Sequence, residues 1–589
     1  MLHIAPLLIA SVLSADVTIQ QAVPDTTIAF VSTSNLGKIV ESVKSAGVCD
    51  QVMKVVCSMG EEGETSVCGI GEMQCEEMFD QLGVEKEDWA PPSGYAGAAL
   101  YPVVDYETSS VGVAGLAIIE LDEKLYGAFF DDLISDYQNH PLASWDEAKA
   151  EIVSLVGRDV LMMQFEMPTY DAPGMGLDLA SFERLYVAYS DGYLLLGSET
   201  GGIASALLAI DGAPEENMLE TNDDYVELRS RCGGTGDAFA GVLLTNLADT
   251  FMQNAELNMA VMLMPSLKTL FGDIDGIAES VTFASDDGVI IEGTYSLLMN
   301  DGRNGLIGLL GDNVSPDPLP SFVGEDTLTY SQGVVEIDKL VPLIHETIAG
   351  QPMLSMQFGP QIEPMEAALR KLLEPLGTEY HSLSTGVLPI DVDTVGTLVA
   401  IECIDEKAMT GILSENMPLM GTEPTDFLGN QIYTIDFGAG LPMPMPIPME
   451  YSIAVGGGYV FVGSSNNVEN ALRAIANPKE HRSSAADNMA LSQLGTVKSV
   501  SWGYGDIAKY LEVQMAMQKA AIDKMLTEME SFDPVMAEEM REEFTQESDL
   551  SDVLMKIATS YMGQMAWNVQ SDDNGLTGHV TMLSPSVQN

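Results

Sequence analysis

The side chains that most often carry chemistry are spread along this sequence without the spacing that a reaction needs. After His3, the histidines are His140, His345, His381, His481 and His579. No two of them lie at the short spacing typical of metal ligands. The motifs G-x-S-x-G, S-x-x-K and H-E-x-x-H, which mark serine hydrolases, β-lactamase-type enzymes and zinc proteases, are absent. We therefore predict no catalytic residue, no metal site and no cofactor.

Two oxygen-rich turns are the best candidates for calcium ligands. They are residues 222–224 (Asn-Asp-Asp) and 273–276 (Asp-Ile-Asp-Gly). Neither completes the twelve-residue loop with a terminal Glu that a specific calcium site requires. Lys38 follows Gly37, but Ile39 stands where a phosphate-binding loop needs Ser or Thr. Diffuse association with divalent cations is the stronger expectation.

Four of the six cysteines lie close together in a Gly- and Glu-rich stretch. They are Cys49, Cys57, Cys68 and Cys75. The absence of a C-x-x-C pair and of a nearby His argues against a zinc site. The spacing predicts two disulfides that staple an insertion over 49–75, and all three pairings remain open. Cys403 lies in an apolar strand, where we expect a small core residue rather than a nucleophile.

Two segments rich in Pro and Met occupy similar places in the two halves of the sequence. Their apolar side chains are Met175 and Leu177 in one segment, and Met443, Met445, Ile447 and Met449 in the other. Alternating prolines favour an extended polyproline conformation. One interpretation is an adaptable contact surface for a protein partner, an apolar ligand or a membrane surface. The other, which the sequence favours, is a stiff connector that folds back over its own core.

The charge of the chain excludes several classes of partner. Its 589 residues include 25 basic and 88 acidic side chains, a net charge of -63. So negative a surface repels phosphate, so nucleic-acid binding and docking on anionic lipid through a basic patch are excluded. The 46% of hydrophobic residues is enough for large cores. The composition is typical of a salt-adapted exported protein, and we expect its melting temperature to rise with added NaCl.

Residues 1–15 are typical of a secretory signal peptide. An apolar run from Ile4 to Leu13 is followed by Ser14 and Ala15, which are small enough for cleavage before Asp16. No later stretch is long and apolar enough to span a bilayer. We therefore predict export to the periplasm or the extracellular space, with no transmembrane segment after the signal.

The sequence contains an internal duplication. Asp25 and Thr26 recur as Asp326 and Thr327, residues 191–198 match 457–464, and residues 285–288 match 571–575. The matches keep the same order along the chain, which makes coincidence a poor explanation. They predict a first repeat over 16–310, a Pro-rich junction over 311–322 and a second repeat over 323–589.

Short strands and hairpins alternate with helices in each repeat. Residues 186–189 and 193–196 flank Asp191-Gly192, a turn pair that favours a hairpin. Residues 281–284 and 289–295 form a second predicted hairpin. The fold class is therefore α+β, with two tandem homologous repeats that each form a mainly antiparallel sheet with hairpins and packed helices. Whether the repeats share one sheet stays open, and we expect separate tandem domains.

The chain resembles a loose family of exported bacterial proteins of the planctomycete type. The resemblance rests on the export signal, on residues 23–26 (Val-Pro-Asp-Thr) and on the hairpin and helix that begin at 191–198. It covers most of the chain, but these motifs are structural. The resemblance implies a duplicated α+β unit and carries over no catalytic residue.

Three functions are compatible with these patterns. A non-enzymatic envelope or extracellular protein that binds or scaffolds other components ranks first, because duplication without catalytic motifs suits that role. A carrier of lipid or another apolar ligand ranks second. A hydrolase whose site has no recognised motif ranks third. The sequence identifies neither the ligand, the partner nor the oligomeric state.

Overall fold

The structure is a computed structural model. It describes residues 17–38, 94–105, 110–135, 149–164, 183–253, 268–283, 289–316, 318–387, 395–436, 450–478, 497–530 and 562–584, and the single positions 491, 537, 540, 541 and 559. The sections below concern these residues.

Twenty strands belong to one sheet. They are β1 (Ala29–Thr33), β2 (Ala96–Asp105), β3 (Ser110–Glu120), β4 (Lys149–Leu155), β5 (Arg158–Gln164), β6 (Arg184–Ser190), β7 (Tyr193–Gly197), β8 (Ala238–Leu243), β9 (Gly276–Thr282), β10 (Val289–Leu298), β11 (Thr327–Val334), β12 (Leu376–Gly386), β13 (Val395–Cys403), β14 (Pro424–Phe427), β15 (Asn430–Asp436), β16 (Glu450–Gly456), β17 (Tyr459–Gly463), β18 (Ser501–Asp506), β19 (Gln564–Asp572) and β20 (Gly575–Leu583). Every pairing between neighbours is antiparallel. At the usual spacing between strands, the sheet extends about 90 Å along its path.

Helices connect the strands and pack on the sheet. The α-helices are α1 (Glu123–Ser135), α2 (Thr200–Ile210), α3 (Asp223–Arg231), α4 (Leu244–Gln253), α5 (Leu340–Ala349), α6 (Pro352–Leu373), α7 (Glu406–Asn416), α8 (Ser465–Ala476) and α9 (Ile507–Glu530). Short 3-10 helices span Ile19–Gln21, Leu219–Thr221, Ile307–Leu309, Ile337–Lys339 and Met417–Met420. No helix in the described part of the chain is long and apolar enough to cross a membrane.

The order of strands is the same in the first half (β1–β10) and the second half (β11–β20). The first half runs β4-β5-β6-β7-β3-β2-β1-β8-β9-β10 across the sheet. The second half runs β14-β15-β16-β17-β13-β12-β11-β18-β19-β20. The mixed α and β content and the large antiparallel sheet confirm that part of the predicted fold class. The separate sheets that the sequence favoured are instead joined into one.

The two halves meet where β10 pairs with β20, a contact that we call the seam. Thr294 lies opposite His579 at its centre, and the Thr294 Oγ1 atom is 3.1 Å from His579 Nδ1. On one side Gly293 faces Val580, and on the other Tyr295 faces Gly578. A Cβ atom on Gly293 would lie 2.7 Å from Val580 Cγ1, and one on Gly578 would lie 2.0 Å from Tyr295 Cζ. Each half therefore supplies a glycine that admits a larger side chain of the other half.

Positions in the two halves can be compared by counting outward along the strand ladders from the seam. From Thr294 the cross-strand neighbours are, in order, Ser280, Phe239, Ser32 and Gly97. From His579 they are Asn568, Trp502, Gln332 and His381. We call two residues that occupy the same place in these ladders corresponding residues.

The main cores lie on one face of the sheet, which we call the inner face. In the first half α2 packs Ile203 and Leu207 against strand residues that include Leu195. In the second half α8 packs Val468 and Leu472 near Phe461. Helices α1 and α7 cover the outermost strands on the opposite, outer face, each over a smaller apolar cluster. Burying these apolar stripes supplies the main favourable free energy of the fold.

The hairpin predicted at residues 186–196 is confirmed. Strands β6 and β7 are joined by Asp191 and Gly192, both with positive φ, at 50° and 84°. A turn of this type matches the twist of the strands and favours Asp-Gly. The turn also positions α2, because β7 ends directly before that helix.

Candidate functional site

The residues that the sequence singled out as a site lie outside the described residues. They are Cys49, Cys57, Cys68, Cys75, Met175, Leu177, Met443, Met445, Ile447 and Met449, together with the signal at 1–15. The disulfides and the Pro/Met contact surface therefore stay predictions. Cys232 and Cys403 are buried free thiols, which agrees with the core role expected for Cys403.

The structure brings the two oxygen-rich turns together around Asn300. Its side-chain Nδ2 donates to Asp224 Oδ1 at 2.7 Å, and its backbone N–H donates to Asp275 Oδ2 at 2.6 Å. Burial raises the pKa of Asp275 above its usual value, and the nearby charge of Asp224 adds to the rise. Among the described residues, no group of three or more His, Cys, Asp and Glu side chains could hold a metal ion. Hydrogen bonds between the turns account for this cluster.

A buried polar network in the second half was not expected from the sequence. His381 Nδ1 lies 2.8 Å from the Tyr330 hydroxyl, and His381 Nε2 lies 3.3 Å from Glu379 Oε1. The Gln332 amide donates to the same Glu379 oxygen. Burial lowers the pKa of His381 to about 4. Because Tyr330 and His381 are each 1% exposed, no substrate reaches them in this conformation, and the network is a structural element.

One signal in the sequence could have identified this His. Residues 380–383 alternate along β12, so His381 shares a face with Leu383. That face is the inner one, where Phe322 packs edge-on against the imidazole with ring centroids 5.5 Å apart. The signal is partial, because one residue two positions away is the apolar Leu383 and the other is the charged Glu379.

The N-terminus of α2 contains a carboxylate supplied by the chain itself. Glu199 is the N-cap residue, and its side chain accepts the backbone N–H groups of Gly201 and Gly202. The Tyr101 hydroxyl donates to the same carboxylate at 2.6 Å. Carboxylates are favoured at this end of a helix because its first N–H groups have no partner within the helix. Burial and the charge of Glu199 raise the pKa of Tyr101.

The N-terminus of α8 occupies the corresponding place in the second half but contains no carboxylate. Its N-cap residue is Ser464, whose side chain makes no capping hydrogen bond, and the first turn has no acidic residue. Thr385 corresponds to Tyr101, and its hydroxyl donates to Asn467 Oδ1 at 3.0 Å. The buried atoms Ser464 Oγ and Asn467 Nδ2 have no hydrogen-bond partner. We call Ser464, Thr385 and Asn467 the α8 cluster.

Further hydroxyl groups extend from the α8 cluster into the sheet. Ser465 Oγ lies 2.7 Å from Ser452 Oγ, and Ser452 Oγ lies 2.8 Å from Thr434 Oγ1. Ser452 is fully buried. The second half thus places neutral hydrogen-bonding groups where the first half places a charged one.

Comparisons with known proteins add no relative: no family model, no curated protein and no solved structure matches the chain.

Proposed function

We propose that the protein is an exported, non-enzymatic binding or scaffold protein that contacts its partner through the outer face of the first half. The observation that carries the proposal is an exposed apolar patch on adjacent strands. It consists of Val31, Leu100, Ala240 and Ile277, which we call the outer patch. Val31 is 49% exposed, and Leu100 and Ile277 are each 42% exposed.

The strand ladders make the outer patch continuous. Leu100 lies opposite Ala29, Ala29 opposite Val242, and Val242 opposite Ile277. Val31 lies opposite Ala240 in the next row. Contiguous apolar surface on a folded protein is typical of an interaction site, whereas scattered apolar residues are not. A partner with a complementary apolar surface would remove this patch from water.

The second half provides an internal control. The residues that correspond to Val31, Leu100, Ala240 and Ile277 are Ser331, Ser384, Gly503 and Met565. Hydroxyl groups there bond one another, as Thr329 Oγ1 and Ser384 Oγ do at 2.6 Å. Apolar side chains are not absent there, because Met565 remains and Trp567 covers Gly503, on which a Cβ atom would lie 2.3 Å from Trp567 Cζ2. The two halves differ most at Ser331 and Ser384, which stand in place of the exposed Val31 and Leu100. The difference favours a role in binding for the first half.

Two further parts of the proposal concern origin and location. The shared strand order, with the glycine pair at the seam, supports two homologous repeats over 16–310 and 323–589 that arose by duplication. The signal-like residues 1–15 and the acidic composition support export. A large sheet of fixed register suits a scaffold, because its surface keeps a defined shape.

Site-specific photo-crosslinking in the producing cell tests the proposed function. A photoreactive residue replaces Val31 in one variant and Ser331 in another, so that matched places on the two halves are compared. We expect a discrete crosslinked partner from position 31 and none from position 331. Adding Leu100→Ser and Ile277→Ser should remove the crosslink at 31 without changing the circular dichroism spectrum. Equal crosslinking from both positions, or none from position 31, would contradict the proposal.

A further inference from the structure

We infer that β4 pairs with β4 of a second copy of this chain, so that the two copies form a two-fold dimer. The inference does not depend on the function proposed above, because it concerns the end of the sheet and not the outer patch. Among the described residues, β4 and β14 are the end strands, since β4 pairs with β5 alone and β14 with β15 alone. We call the side of β4 that faces away from β5 the open edge.

The end strand of the second half carries features that prevent another strand from joining it. Strand β14 has only four residues and begins with Pro424, which has no N–H group to donate. It also contains the exposed Asp426. A short strand, a proline and a charge are the usual means by which a protein protects the edge of a sheet.

The end strand of the first half lacks this protection at the corresponding place. The strand ladders put Ile152 of β4 where β14 has Pro424. Strand β4 has seven residues and no proline, and its charged residues, Lys149 and Glu151, lie at its start. Ile152 is the central residue and is 42% exposed. A long end strand with an exposed apolar centre is a site at which another strand joins.

The backbone of Ile152 directs its hydrogen-bonding groups to the open edge. Strands β4 and β5 are joined by a two-residue turn at 156–157, where both residues have positive φ. In such a hairpin the residues that flank the turn form a hydrogen-bonded pair, and such pairs then alternate along the strands. The residues that face away from β5 are therefore Ala150, Ile152 and Ser154. The proline at the corresponding place in β14 agrees with this pattern, because that position needs no donor toward β15.

A second copy of β4 matches this edge because the strand is complementary to itself. An antiparallel pair with its two-fold axis at Ile152 puts Ile152 opposite Ile152 of the second copy, and Ala150 opposite Ser154. Each of these residues then exchanges backbone hydrogen bonds with the residue opposite. The contact uses the same surface on both copies, so it closes at a dimer. Pro424 at the other end of the sheet prevents the dimers from joining into a fibre.

The side chains at this axis extend the apolar cluster under α1. Ile152 shares the outer face with Leu161, its cross-strand neighbour, which is buried in that cluster. Helix α1 packs on β5 and β6, which leaves Ile152 at the margin of the cluster. Because the two-fold axis is perpendicular to the sheet, both outer faces lie on the same side of the dimer. The two Ile152 side chains meet between the two α1 helices, where pairing removes them from water.

Charge makes the dimer dependent on salt. Within the paired strands Glu151 would lie opposite Val153, and Lys149 opposite Leu155, so like charges do not face each other directly. At longer range the net charge of -63 on each copy opposes association. The Debye length falls from about 30 Å at 0.01 M salt to about 8 Å at 0.15 M, which screens this repulsion. We therefore expect dimers in saline and monomers in dilute buffer.

Sedimentation velocity of the full chain tests the dimer over a range of protein concentrations and from about 0.01 to 1 M NaCl. We expect the dimer fraction of the wild type to rise with both. Ile152→Pro, which copies the second half, should weaken dimerisation at least about tenfold. Val31→Ser, in the outer patch, is the control and should dimerise like the wild type. A monomer under every condition, or a dimer that Ile152→Pro leaves unchanged, would overturn the inference.

A disulfide crosslink keeps the test decisive if Ile152→Pro fails to fold. In a hydrogen-bonded antiparallel pair the Cα atoms lie about 5.5 Å apart, which suits a disulfide. We expect Ile152→Cys to give a covalent dimer on mild oxidation in saline. The wild type and Ser154→Cys should give none, because Ser154 lies opposite Ala150 of the second copy. No crosslink from Ile152→Cys, or an equal yield from Ser154→Cys, would contradict the pairing.

Photo-crosslinking in the producing cell separates a second copy from a strand of another protein. A photoreactive residue replaces Ile152, and the crosslinked product is identified by mass spectrometry. We expect a product that contains two copies of this chain. A product that joins this chain only to a different protein would assign the open edge to a foreign strand and overturn the dimer.

Discussion

The first and second halves share a strand order, but corresponding positions on both faces of the sheet carry different types of side chain. On the outer face, Val31 and Leu100 in the first half correspond to Ser331 and Ser384 in the second. On the inner face, the first half has Gly97 where the second has the buried His381. The framework is therefore specified by the alternation of side chains and by packing, while the chemistry at a given position is free to differ.

The same comparison holds at the two helix N-termini. The first half satisfies α2 with its own Glu199, whereas the second half leaves unpaired polar atoms at α8. It follows that the halves are not interchangeable surfaces. A difference between corresponding residues is informative because everything else about their position is shared.

The largest expected effect is a loss of stability, which tests whether the two cores stabilise the fold equally. Phe239 and Trp502 occupy corresponding places and are both buried. Truncating a buried aromatic residue costs about 3–5 kcal/mol, because apolar burial is lost and a cavity is left. We expect Phe239→Ala and Trp502→Ala each to destabilise by that amount, measured by urea unfolding with hydrogen exchange of β8 and β18.

A conservative control accompanies this pair. Val31→Ser, on the exposed outer face, should change stability by less than about 0.5 kcal/mol. If either aromatic truncation cost less than about 1 kcal/mol, the two cores would not be equivalent.

The next effect concerns pH and should appear in the second half alone. The pKa of His381 is lowered to about 4 in the folded protein, against about 6.5 for a free imidazole. Below pH 6.5 the unfolded chain therefore binds a proton that the folded one does not. Stability is lost as the pH falls from about 6.5 to 4, by up to about 3 kcal/mol.

Hydrogen exchange locates this loss. We expect β11 and β12 to lose protection between pH 7 and pH 4.5, beyond the change seen in β1 and β2, where Gly97 replaces the imidazole. His381→Gln should remove the difference in protection between β11 and β12 and the strands β1 and β2. An equal loss of protection in both halves would show that His381 is not responsible.

The smallest effect tests the contact between the halves. Arg231 of α3 is 8% exposed and its Nη2 atom lies 3.0 Å from Asp572 Oδ2 in the second half. Because Asp572 is 54% exposed, solvent screens much of this pair, and we expect Asp572→Asn to cost about 1 kcal/mol. The cost should shrink between 0.05 and 1 M NaCl, over which the Debye length falls to about 3 Å. Asp573→Asn, at the adjacent exposed position, should leave the stability unchanged. Equal losses of stability for the two variants would show that the pair of Arg231 and Asp572 is not responsible.

Local features of the fold could be predicted from the sequence because they depend on neighbouring residues. The hairpin at Asp191-Gly192 is one example, since positive φ restricts the choice of residue. The burial of Cys403 at the end of an apolar strand is another.

The alignment of the two halves that the sequence predicted was wrong by one residue in the first strand. The sequence matched Asp25 to Asp326 without a gap, but the strand ladders align Ala29 with Thr329 and Phe30 with Tyr330. A shift of one residue turns a strand over, so only the burial of Phe30 and Tyr330 fixes the register. An Asp-Thr dipeptide carries no such information.

The seam and the α8 cluster could not have been predicted because they depend on residues far apart in sequence. Thr294 and His579 form one pair, and Thr385 and Asn467 another. Asn467 in isolation is an ordinary polar residue near the start of a helix. Its buried hydrogen bond becomes visible only when the structure places Thr385 beside it, in the position that Tyr101 takes in the first half.

The seam also pairs a strand that is synthesised early with one that is synthesised late. Strand β10 ends at Leu298, and its partner β20 starts at Gly575, roughly 280 residues later in synthesis. At about 5–20 residues per second, a newly made β10 waits on the order of 15–60 s before β20 exists. During that interval an unpaired strand edge could join that of another nascent chain. Chaperone protection should therefore matter most for the earlier-made half, between completion of β10 and arrival of β20.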